Sequence, residues 1–112
     1  MRGHNASSLL RAPVILRGIR LGEVEDVLLD AAEPRIIGLD VICGDGKNRF
    51  LPFSTARLTR GAVEIGSTLT LLDGRELQFY RANGRSLAAV PALAEAVVEN
   101  GGALVVSLTS RC

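Results

Sequence analysis

The sequence predicts a mainly β domain with short helices: a small antiparallel barrel of five or six strands, then C-terminal helices and a final strand. Three observations predict it. Short apolar runs recur every ~8–12 residues with turn residues between them, the spacing of a small barrel or sandwich. Ile37, Leu39, Val41 and Cys43 alternate onto one face, as a half-buried strand requires. At Leu69 the pattern changes, and a helix-start signal follows at Asp73.

The strands follow in order. Ala12 to Leu16 is a short apolar run, and Gly18 to Gly22 supplies a turn. Val24 to Asp30 is the second strand. Strict alternation puts Val24, Asp26 and Leu28 on one face and Glu25, Val27 and Leu29 on the other. Both faces are mixed, so a bulge or two-sided packing is expected. Arg35 to Cys43 is the clearest strand, and Gly44-Asp45-Gly46-Lys47 forms a hairpin loop. Asn48 to Phe53 returns, with Phe50 and Pro52 opposite Leu51 and Phe53. Pro52 lacks an amide hydrogen and belongs at an edge or a strand end. Ser54 to Leu58 reads as a helical turn, and Ala62 to Gly66 as a fifth strand.

Asp73-Gly74-Arg75-Glu76 has the form of a capping box, with Leu72 and Leu77 at the staple positions. A helix from Gly74 to Ala82 follows, closed by Asn83-Gly84. A second helix is expected between Ala92 and Glu99, with Leu93, Ala96 and Val97 as its stripe. Ala103 to Leu108 is a final strand, apolar on both faces. The chain thus divides into a loose arm (residues 1–7), a barrel (8–67) and an extension packed on it (68–112). Ser8 to Pro13 faintly echoes Ser86 to Pro91, and Gly61 to Ile65 echoes Gly102 to Val106. Residues 86–108 are either a degenerate second copy or a chance likeness.

The ordered series of segments resembles a PRC-barrel domain. Gly22 to Asp30 is similar to that family's G-x-V-x-D-hydrophobic segment. Ile36 to Val41, a Gly-rich hairpin and Arg49-Phe50-Leu51-Pro52-Phe53-Ser54 follow it. The resemblance covers residues 8–67 and implies a five- or six-stranded barrel with a helical turn before its late strand. Such domains occur in the H subunit of photosynthetic reaction centres, in a ribosome-maturation factor and as short bacterial proteins. It implies binding, docking or assembly. Because the family repeats an Asp at position 26, the resemblance also implies a hydrogen-bonding role for Asp26. Residues 69–112 depart from the pattern.

Composition bears on function. The 112 residues fit one domain. The hydrophobic share is 47% and mean hydropathy is +0.27. This apolar excess points either to a well-filled core or to apolar area set aside for a subunit interface. Net charge is +1, so no strong pull on polyanions is expected. Twelve of the 13 basic residues are Arg, and Lys47 is the exception. No signal-peptide-like or membrane-length apolar run occurs, and the reading is cytoplasmic.

No catalytic residue is assigned. His4 is the single histidine and sits on the expected arm, where nothing would hold an imidazole for Ser-His-Asp or Cys-His chemistry. Glu23 and Glu25 would share a strand face ~7 Å apart, a spacing open to a hard cation but better read as solvated carboxylates. No metal, cofactor or small-molecule substrate is assigned. Cys43 reads as a small core residue, and Cys112 as a terminal thiol. The expected function is a non-enzymatic interaction or assembly module, a homodimer with an unidentified protein partner. The candidate structural and interaction residues are Asp26, Phe50, Pro52, Leu104 and Val106. The alternative is a ribosome- or RNA-associated adaptor using Arg17, Arg20, Arg57 and Arg60.

Overall fold

Short turns between β-prone runs yield a strand meander. Its strands are β1 (Pro13–Leu16), β2 (Ile19–Leu29), β3 (Ile36–Cys43), β4 (Asn48–Pro52), β5 (Ala56–Thr59) and β6 (Ala62–Ile65). The structure, a computed structural model, describes residues 5–99 and 102–105. The strands form one curled sheet in the order β4-β3-β2-β1-β6-β5, and a short β7 (Arg85–Ser86) pairs with β2. Neighbours are antiparallel except β1 and β6, which run parallel. Among the described residues no ladder joins β4 to β5, so the sheet is a half-barrel.

The first turn is tighter than the expected Gly18–Gly22 loop. Arg17 and Gly18 both have positive φ, 50° and 83°. Two left-handed residues make the primed turn that matches strand twist. β2 therefore begins at Ile19, and Arg20 to Gly22 are strand.

Two bulges set the faces of the sheet. Val24 pairs with Val41 and Asp26 with Asp40, leaving Glu25 as an extra residue. Leu28 pairs with Gly38 and Leu29 with Ile36, leaving Ile37 extra. The expected β2 bulge is present. It turns Val24, Val27 and Leu29 together into the main core. The second bulge breaks the expected β3 face. Leu39 and Val41 enter the main core, Cys43 packs against it, and Ile37 turns to the opposite side.

That opposite side is covered by helix α1 (Gly74–Asn83). Its start follows the capping expectation, since the Asp73 carboxylate accepts from the Arg75 and Glu76 amides at 3.0 and 3.3 Å. Leu77 of α1 packs on Leu28 and Phe50, with Ile37, Leu72 and Tyr80 around them. Gly38 makes room for this layer. A Cβ there would stand 2.3 Å from the Phe50 ring. Leu72 exchanges both backbone hydrogen bonds with Phe50, at 2.9 and 2.8 Å, and so covers the β4 edge.

The main core is closed from both ends of the chain. Ala6 and Leu9, and also Leu87, Ala96 and Leu104, are buried within it. The expected loose arm is therefore docked over residues 5–7. The Ala6 amide donates to the Ala96 carbonyl (2.9 Å) and the Ser7 amide to Ala94 (2.8 Å). Met1 to His4 lie outside the described residues.

Two expected helical segments take other forms. Phe53–Thr55 is a 3-10 turn, but Ala56 onward is extended in β5. The helix expected over 92–99 is replaced by a 3-10 turn at Pro91–Leu93 and by β8 (Val97–Val98), which pairs with β9 (Leu104–Val105). A helix that short nucleates poorly. β-Branched Val97 and Val98 gain more by pairing, while Ala96 is held by Ala6. Of the final strand expected over Ala103–Leu108, Leu104 is buried and Val105 exposed, and residues 106–108 lie outside the described residues. Among the described residues, no helix is long and apolar enough to cross a membrane.

The internal echo is partial. Leu9 and Leu87, matched in the echo, are both buried, but Leu9 closes its 3-10 turn (Ser7–Leu9) and Leu87 opens its own (Leu87–Ala89). The first stretch of likeness ends at the prolines, for Pro13 opens β1 and Pro91 opens another turn.

Candidate functional site

The bulge at Glu25 brings several polar side chains together within the sheet. It places Asp26 of β2 directly opposite Asp40 of β3. Like charges in that position repel, and each carboxylate is held by its own donors. Asp40 is fully buried, at 0% exposure. Its Oδ2 accepts from the Arg81 guanidinium of α1. Its Oδ1 accepts from Asn48 Nδ2 at 2.7 Å. Asn48 Nδ2 also donates to Glu25. Asp26 Oδ1 accepts from the Val27 amide (2.8 Å) and from Ser86 Oγ (2.9 Å).

Asp26 thus fixes the bulge and ties β7 to β2. It does not point away from Glu25, as strict alternation requires. Both residues line one open cavity of about 420 Å³. Leu10, Ala88, Pro91 and Ala94 make its apolar wall. Glu23 stays outside this group and pairs with Arg20 at 2.8 Å. Among the described residues, no three His, Cys, Asp or Glu side chains are grouped to hold a metal ion.

The other candidate residues have distinct places. Phe50 is buried and stacked on Tyr80, with ring centroids 4.2 Å apart. Pro52 is the last residue of β4, opposite Gly38. Leu104 is a core residue of β9. Val106 and Cys112 lie outside the described residues, and Cys43 is a half-buried free thiol. Asp40, Asn48, Arg81 and Ser86 were not legible as a group, because 46 positions separate the outermost two and only the register joins them. The available signal was an Asp in the middle of an otherwise apolar strand.

The four arginines of the RNA reading do not converge. Leu16 lies beside Ile65, so Arg17 and Arg20 sit at that end of the sheet. Arg60 is in the β5–β6 turn at the opposite end. Arg20 is paired with Glu23, and Arg57 with Glu64 at 2.9 Å.

The Gly44–Lys47 hairpin carries the clearest electrostatic perturbation. Both Asp45 oxygens accept from Arg49, at 3.1 and 2.9 Å. That bidentate pairing, with the Lys47 amide, lowers the Asp45 carboxyl to about 2. The same partner raises Arg49. Asp30 is lowered by the Ala32 and Glu33 amides that it caps.

Comparison with known proteins agrees with this architecture. The curated proteins include no match to the chain. The family model of the PRC-barrel domain matches residues 1–72, and so reaches the Leu72 bridge on β4. With well over half of its length matched, and with a curled sheet of the implied kind, the chain belongs to the PRC-barrel domain family.

Proposed function

We propose that this PRC-barrel chain is a non-enzymatic interaction or assembly module that self-associates as a homodimer. One observation carries the reading. Among the described residues, β5 pairs with β6 on one side and with no strand on the other. A bare edge offers unpaired amide and carbonyl groups to another chain. Two copies related by a two-fold axis would continue one sheet through their β5 strands. Ile19, 64% exposed, stands at the end of the sheet where Ala56 faces Ile65, and Leu69, 85% exposed, lies in the 3-10 turn Thr68–Thr70 that follows β6. They would extend such an interface with apolar area.

Light scattering on the full chain tests this. The expected mass is about twice 11.9 kDa. Amide exchange at Arg57 and Leu58 should slow with rising concentration. A clean monomer at high concentration overturns the homodimer. The dispersed, ion-paired arginines give the RNA-associated adaptor less support than the open edge gives self-association. Retardation of structured RNA in a low-salt gel shift would reverse that ranking.

A further inference from the structure

The cavity over the β2 bulge is not used by the self-association proposed for β5. It is formed by segments far apart in the chain: Leu10 after the N-terminal turn, Glu25 and Asp26 on β2, and the Ser86–Ala94 stretch. At about 420 Å³ it falls at the small end of the range for ligand pockets, roughly 300–1,000 Å³. It is open to solvent. A free small molecule there would stay partly solvated, whereas a side chain reaching in from a docked surface would be covered.

Charge selects the occupant. Glu25 and Asp26 lie on the lining, with buried Asp40 in the strand beside them. Among the described lining residues Arg81 is the one cation, and it is committed to Asp40. Among the described residues that ion pair cancels, and the lining keeps the two carboxylates of Glu25 and Asp26. An apolar wall beside carboxylates suits a group with an aliphatic stem and a cationic head. We propose that this cavity seats an arginine or lysine side chain of a protein partner. The inference rests on the interaction-module reading and names the partner's chemistry.

Nitrogen-15 amide shifts of the full chain, titrated with a blocked Ala-Arg-Leu-Ala tetrapeptide, test it. The control probe is the same peptide with Glu in place of Arg. Saturable shifts are expected at Leu10, Glu25, Asp26, Ser86, Ala88 and Ala94 with the Arg peptide alone. The double variant Glu25→Gln/Asp26→Asn removes both charges. Its amide oxygens can still accept from Asn48, the Val27 amide and Ser86, so the bulge is retained. Binding should weaken about tenfold in this variant and fall with added salt. Equal shifts from both probes, shifts scattered over the surface, or unchanged affinity in the double variant overturn the assignment. Self-association is read separately by light scattering. A chain that dimerises yet ignores the Arg peptide loses this assignment and keeps the module reading.

Discussion

Gly38 is where one atom governs the contact between two layers. Its missing Cβ leaves space that the Phe50 ring occupies, and Phe50 in turn stacks on Tyr80 of α1. Gly38→Ala should force that ring outward and loosen the helix, at about 1–3 kcal/mol for an overpacked site. Urea unfolding measures the loss. Phe50→Leu in the same chain should recover part of it, and simple additivity of the two changes would show that the clash is not the cause. Asp45 supplies a second test at this scale. Its carboxyl is lowered by Arg49, so the hairpin is favoured above the ordinary value of 3.8. That contribution is lost as the pH falls through about 2. A carbon-13 titration should place the Asp45 midpoint near 2. In Arg49→Gln the midpoint should rise toward 3.8.

Helix α1 shows how an element is held by two kinds of contact. Leu77 docks it on Leu28 and Phe50, and Arg81 reaches Asp40. The ion pair is asymmetric, because Asp40 is sealed while the Arg81 side chain is 49% exposed. Removing the arginine strands a buried carboxylate with Asn48 as its remaining side-chain donor. Arg81→Met should therefore cost about 3 kcal/mol. The double variant Arg81→Met/Asp40→Asn should cost clearly less, since no charge is left buried. Equal losses in the two variants, read from denaturant midpoints, would assign the effect to packing by the Arg81 stem instead.

Elements of this size also divide what was legible from what was not. The α1 start was readable, because an N-cap is local and Asp73 needs only its own next three residues. The Gly44–Lys47 hairpin was readable for the same reason. The helix expected over 92–99 failed because its fate depends on Asn5, Ala6 and Val105, residues far away in the sequence. The site failed at a single residue. The mixed faces of β2 point to a bulge or to two-sided packing, but not to a bulge at Glu25. One residue of shift moves Asp26 to the same side as Glu25 and opposite Asp40.

Across the whole molecule, the family match and the folding unit have different extents. The match ends at residue 72. Leu77, Leu87, Ala96 and Leu104 lie beyond it and are all buried. Leu87, Ala96 and Leu104 close the mouth of the half-barrel, while Leu77 covers its outer face. Burying three leucine side chains contributes roughly 1.5–3 kcal/mol each. Their sum is comparable with the net stability of a small domain, about 5–15 kcal/mol. A chain ending at residue 72 would also expose Phe50 on one side and Leu29 and Ile36 on the other. It should therefore lack a cooperative unfolding transition and show poorly dispersed amide resonances, where the full chain gives a sharp transition. Supplying residues 73–112 as a separate polypeptide should restore dispersion, since the two pieces would again bury the same faces. If the shorter chain instead unfolds cooperatively with undiminished stability, the C-terminal segment is an appendage on a self-sufficient half-barrel rather than part of its core.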